Sequence, residues 1–167
     1  MTNTRRLLIA AVLGISTTLV AGQQPFAATT PPRKQLRHAI NHTRAAHGVG
    51  AVHGSSSLRR VALHHSADMI IRDYFAHTSP TGSTLTSRIE RSGFVGGYSW
   101  TAGETLAWGW GTQAGAKATV RAWLHSPEHR SILLSSTYRW VGIGRTCGRF
   151  LGHAHACVWT ADLVTRW

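Results

Sequence analysis

Leu58, Val61, Ala62 and Met69 recur at spacings of three and four along residues 58–69, with His65 on the same stripe. That period predicts a helix with one buried face. Ser55, Ser56 and Ser57 offer N-cap hydroxyls at its start, and the pattern runs out near Tyr74–Phe75. A preceding helix is predicted from Arg33 to about His47, stopped by Gly48 and Gly50. The turn-rich run His77-Thr78-Ser79-Pro80-Thr81-Gly82 reads as a loop, and Leu85–Arg91 reads as a short helix ending at Gly93. From Glu104 to Trp110 the pattern changes to alternation, predicting a strand with Glu104, Leu106, Trp108 and Trp110 on one face. Ala116, Val120, Trp123 and Leu124 mark a further helix, which ends near His125; Ser126 then caps a new one with Pro127 at its first position. Trp140–Gly144 and Ala156–Trp159 read as late strands joined through a glycine-containing turn. Helices first, then strands interleaved with helix, predict a layered α+β fold.

The N-terminus adds a different kind of segment. Arg5 and Arg6 precede an apolar stretch, Leu7 to Ala21, broken by Gly14, Ser16, Thr17 and Thr18. This reads as an export signal over residues 1–28, too short and too polar for a membrane span. Thr29-Thr30-Pro31-Pro32 opens a linker over 29–34, leaving 35–167 as one domain. Lys and Arg total 18 against only 6 Asp and Glu, a formal charge of +12. Loss of Arg5 and Arg6 with the signal lowers this to +10. Such a field favours anionic partners, namely envelope polymers or lipids; export sets nucleic acid aside. The alternative is a solvated basic surface with no specific ligand. Two cysteines, Cys147 and Cys157, can pair in an exported protein, the rival being a metal thiolate pair.

Eleven histidines make metal and proton chemistry worth testing residue by residue. His38 and His42, four apart on the first helix, have no evident third ligand and read as surface residues. His65 falls on the buried stripe and reads as a satisfied core histidine. His125-Ser126-Pro127-Glu128-His129 has the His-x-x-Glu-His spacing of one metallopeptidase class. That chemistry needs one continuous helix, which Pro127 interrupts, so the motif reads as a decoy. The same break places His129 in the first turn of a new helix, where the dipole disfavours its charged form and leaves a neutral imidazole able to bind a metal or accept a proton.

Several short runs occur in a characteristic order. They are Phe75-Ala76-His77, Arg88-Ile89-Glu90 with Gly93-Phe94, Gly103-Glu104-Thr105-Leu106-Ala107, Trp123 through Arg130 with Ile132-Leu133, Val141-Gly142-Ile143-Gly144, and Val158-Trp159-Thr160-Ala161-Asp162. With Asn41, Arg44, Gly48, Leu58, Ala62 and Met69 upstream, the chain from about Leu36 to Leu163 resembles bacterial domains of the CAP superfamily, the cysteine-rich secretory, antigen 5 and pathogenesis-related proteins. The resemblance implies a three-layer α-β-α sandwich with a central, mainly antiparallel sheet and a shallow cleft lined by histidines and glutamates, which in some members holds a divalent metal. Position by position, it places His77, Glu104 and His129 in that cleft, with His77 and His129 as metal ligands. Thr105, Glu128 and His125 depart from the family's usual Asn, Gly and Asn. Gly152-His153 ahead of Val158-Trp159 resembles a eukaryotic feature of the family. If Cys147 and Cys157 oppose each other across a hairpin, however, His153 sits at the turn. Glu128 and His153 are secondary candidates.

The expected function is that of a secreted, monomeric, non-enzymatic binding module whose cleft takes a divalent metal such as zinc or a small apolar ligand. The alternative is a metal-dependent extracellular hydrolase, built from the same three residues. There is no Gly-x-Ser-x-Gly elbow, and a Cys–His dyad would need a cysteine that is not paired.

Overall fold

The computed structural model describes residues 30–167; the expected export segment, 1–28, lies outside them. Helix α1 spans Pro32–Ala46 and begins inside the expected linker, because Pro32 at its first turn has a backbone angle already suited to a helix. Strand β1 is only His53–Gly54. Helix α2 (Ser56–Arg72) is capped by the Ser55 hydroxyl, which accepts from the Leu58 amide, and ends on Asp73 in the left-handed region at φ 51°. Helix α3 (Leu85–Arg91) starts with a reciprocal cap between Thr84 and Ser87. Strand β2 (Trp100–Trp110) leads through a short 3-10 turn into α4 (Ala116–His125) and α5 (Pro127–Leu134). The long hairpin β3 (Trp140–Phe150) and β4 (His153–Arg166) closes the chain.

The strands lie in the order β1-β3-β4-β2, with β1 parallel to β3 and the other two pairs antiparallel. Alternate residues of β4 supply two different cores. Trp159, Ala161 and Leu163 pack with Leu36 and Ile40 of α1, Trp123 of α4 and Leu133 of α5. Val158 and Ala156 face the other way, onto Met69 of α2, Leu106 and Phe150. Val164 on that side packs with Leu58, Ile89 and Phe94. The sheet is therefore the middle of three layers, and period-two alternation sorts its side chains between them.

Close approach of α2 to the sheet explains Val141-Gly142-Ile143-Gly144. A Cβ on Gly142 would lie 2.2 Å from the Leu58 carbonyl carbon, and one on Gly144 2.2 Å from the Ala62 carbonyl oxygen. Val141 and Ile143 meanwhile point into the α1 side.

Cys147 and Cys157 are register partners and form a disulfide. The turn beyond them is Leu151-Gly152, both at positive φ. Among the described residues, no helix is long and apolar enough to cross a membrane.

Candidate functional site

Three elements bring the expected residues together. The left-handed Asp73 turns the chain off α2 and sends His77 back over Glu104, inside β2. The break at Ser126 starts α5 in a new direction, with His129 in its first turn. Ser126 holds the cap position through its backbone, its carbonyl accepting from the Arg130 amide at 2.8 Å, while its hydroxyl makes no cap bond. His125 stays on α4, its Nδ1 against the Arg121 carbonyl at 2.7 Å. The two histidines of the His-x-x-Glu-His run thus belong to different helices.

Glu104 is the centre of the arrangement. Its side chain is 2% exposed. Its Oε1 lies 2.7 Å from His77 Nδ1, and its Oε2 accepts from Arg88 Nη2 at 2.7 Å. Buried His65 stands behind it, Nε2 at 3.8 Å from Oε2 and 3.1 Å from the Ala76 carbonyl. Arg88 also donates to the carbonyls of His77 and Ser83, fixing the loop that carries His77. Burial alone would raise the Glu104 carboxyl; the His77 hydrogen bond and the Arg88 charge outweigh it and hold the group below the ordinary carboxylate range.

Asp162 is paired directly with Glu104 across β2 and β4 and is wholly buried. No donor reaches either of its oxygens. Burial, and then the charge on Glu104, push its carboxyl well above the usual range and favour its protonated form, although neither of its oxygens makes a hydrogen bond. The pair is one carboxylate and one carboxylic acid. His65 is pushed down, chiefly by burial, and stays neutral.

The imidazoles of His77 and His129 face each other at the surface, ring centroids 6.3 Å apart and inclined at 51°. His77 is 56% exposed. Burial, and secondarily the neighbouring His77, lower the His129 pKa and favour its neutral form. Glu128, also in the first turn of α5, is exposed beside it.

Glu104 has both oxygens engaged by protein donors and so orients His77. One sequence expectation changes. His153 stacks on Trp110 at 3.8 Å beside the hairpin turn. It lies nine residues along β4 from Asp162, roughly 30 Å at the rise of a strand, and is no part of the site. Conversely, Arg88, Asp162 and His65 belong to it. Each was visible in the sequence as a charged residue or a stripe position, but the pairing that joins them is set by strand register and loop packing.

The model of the CAP family, described as the cysteine-rich secretory protein family, matches residues 37–162. The chain belongs to this family. Over 115 residues, 69% of this chain, it is 34% identical to the uncharacterized membrane protein YlbC of Bacillus subtilis, and over 111 residues, 66% of this chain, 30% identical to the uncharacterized protein YkwD of the same organism. It spans 32% and 41% of those relatives' lengths. An extracellular SCP-domain protein of Bacillus anthracis superposes with a TM-score of 0.65 at 27% identity, covering 80% of this chain and 40% of that one. An outer surface protein of Borrelia burgdorferi shares the fold, with a TM-score of 0.67 at 19% identity over 83% of this chain and 97% of that one. The three layers built around Glu104 are the α+β fold shared with the Bacillus anthracis SCP-domain protein.

Proposed function

We propose that this CAP domain works outside the cell as a non-enzymatic binding module, and that its ligand is taken at the His77–His129 imidazole pair with a divalent cation such as zinc. The observation that carries this is the 2.7 Å bond between His77 Nδ1 and Glu104. A carboxylate on one ring nitrogen fixes the tautomer and leaves Nε2 as a basic, oriented donor, the arrangement typical of metal-binding histidines. His129, held neutral, is the second donor. Two imidazoles at about 2 Å from one ion would set their centroids about 5–6 Å apart; the observed 6.3 Å is close to this and needs only a small rotation. Among the described residues no third His, Cys, Asp or Glu completes a closed cage. The donor set therefore fits an open, exchangeable site in which water or an external ligand fills the remaining positions, and does not fit a structural zinc. The cation would supply Lewis acidity toward that ligand.

The hydrolase alternative needs a carboxylate free to accept a proton. Glu104 is already bound on both oxygens and Asp162 is buried, which leaves the exposed Glu128 as the carboxylate that reading would need. The extracellular setting is supported by the Bacillus anthracis neighbour, which is itself extracellular.

Calorimetric zinc titration tests the proposal. Wild type should bind, and His77→Ala and His129→Ala should each abolish the heat while leaving the fold intact. No zinc heat in wild type, or unchanged binding in both variants, overturns it. Because imidazole must be neutral to ligate, affinity should fall as the pH drops through the histidine range.

A small apolar ligand has less support: the cavity of about 1370 Å³ between α1 and α4 is lined largely by polar and cationic side chains, among them Lys34, Arg37, His38, Lys117 and Arg121, with Ala39, Val120 and Leu124 as its apolar part.

A further inference from the structure

A cavity of about 720 Å³ opens between α2, α3 and the 79–83 turn. Its walls are cationic and hydroxylic. Arg60 of α2 and Arg91 of α3 enter from opposite sides, with Arg88 also lining it and His64 one turn on from Arg60. Each of the two outer guanidiniums is steadied by one wall hydroxyl: Arg60 Nη2 to Ser57 Oγ at 3.3 Å, and Arg91 Nη2 to Ser83 Oγ at 2.8 Å. Among the described residues neither has a carboxylate within ion-pair distance, so most of their donors remain open. The one lining carboxylate, Asp68, is already taken by Arg72 and by the Tyr74 hydroxyl. The Arg88 side chain is 8% exposed, and its Nε is buried with no partner.

We infer that this cavity is a phosphate-binding site, and that its ligand is the repeating phosphate of an anionic phosphodiester polymer. Forked guanidiniums converging from two helices match the oxygens of a tetrahedral phosphate, where a lone surface charge would not. The surrounding hydroxyls can turn a proton toward the same oxygens. Among the described residues, the large exposed apolar side chains, Ile71, Phe75, Tyr98, Trp110, Leu151 and Trp167, lie outside this lining, so none of them stands at the cavity to insert into a bilayer. A soluble polyanion therefore suits the site better than a lipid headgroup. The site shares Arg88 with the support of Glu104, so the test uses Arg60 and Arg91, whose side chains bond Ser57 and Ser83 and not the imidazole pair.

The test is a nuclear magnetic resonance titration of the chain at low salt with inorganic phosphate and, separately, with polyglycerol phosphate. Wild type should show saturable shifts confined to α2, α3 and the 79–83 turn. The pair Arg60→Gln/Arg91→Gln should weaken binding at least tenfold and leave zinc heats unchanged. Lys34→Gln/Arg37→Gln removes the same charge on α1 and should change phosphate binding less than twofold. Dispersed, non-saturating shifts would overturn the site. So would equal losses in the two double variants, or binding to phosphatidylglycerol vesicles alone with neither soluble phosphate bound.

Discussion

At the scale of single residues, the site is organised by two carboxyls in opposite protonation states. Glu104 is charged because Arg88 and His77 serve it; Asp162, one strand away, is neutral because nothing else does. Removing the charge from Glu104 breaks a buried ion pair with Arg88, and Glu104→Gln should cost about 3 kcal/mol or more in urea unfolding. Asp162 has the opposite signature. Its folded pKa is raised above the ordinary 3.8. Its contribution is therefore fully present below that value and is lost as the pH rises toward the folded pKa. Within that window the loss approaches about 1.4 kcal/mol per pH unit. Asp162→Asn keeps the size and polarity of the side chain but has no proton to lose. The variant should gain stability relative to wild type as the pH rises above about 4 and level off past the folded pKa, and a difference independent of pH would contradict the assignment. Glu104 and His77 were legible in the sequence through the resemblance of their flanking runs. The partnership of Glu104 with Asp162 was not, because opposition across a sheet depends on register, which the alternation of either strand alone leaves open.

Elements were legible in proportion to their local signals. The Leu85–Arg91 helix and the α4–α5 break at Ser126-Pro127 follow from turn residues and proline stereochemistry, and both lie where those signals put them. Strand β2 begins at Trp100, four residues before its alternating stretch, because pairing with the end of β4 extends it through Thr101, Ala102 and Gly103. Two-residue β1 carries no period at all and exists through its parallel bridge to β3. The glycines of β3 are a packing device and not turns. Gly144→Ala would drive a methyl into the α2 backbone, whereas at Gly148 the nearest neighbour is the Ile70 side chain at 2.9 Å, which can turn aside. Overpacking of this kind typically costs about 1–3 kcal/mol, and more where backbone must move. Gly144→Ala should therefore lower the melting temperature far more than Gly148→Ala; equal effects would mean that α2 is free to lift off the sheet. The disulfide closes a short loop, with the cysteines 10 apart in sequence, so reduction should cost only about 2–3 kcal/mol and leave the fold intact.

At the scale of the whole molecule, the surface is more one-signed than the formal +12 suggests. Of the six acids, Glu104 and Asp162 are buried and Asp68 is tied to Arg72. That leaves Asp73, Glu90 and Glu128 to offset the exposed arginines and lysines. A field of this kind attracts polyanions whether or not a shaped pocket receives them. Two reactions to pH separate the field from the imidazole pair. Lowering the pH from 7.5 to 5.5 protonates histidine as a residue type, and the chain has eleven. Field-driven binding to a phosphodiester polymer should therefore tighten over that range, while zinc binding at His77 and His129 should weaken, since protons compete for the same nitrogens. Salt separates the field from the phosphate cavity. Exposed charges are screened over about 8 Å at physiological ionic strength, so retention on the polymer at low salt should fall steeply as salt rises through that level. Arg60→Gln/Arg91→Gln should remove the part of binding that survives it, and Lys34→Gln/Arg37→Gln should remove only the part that does not. Polymer retention that ignores salt and pH together would mean that the positive charge is a solvated surface with no part in partner capture.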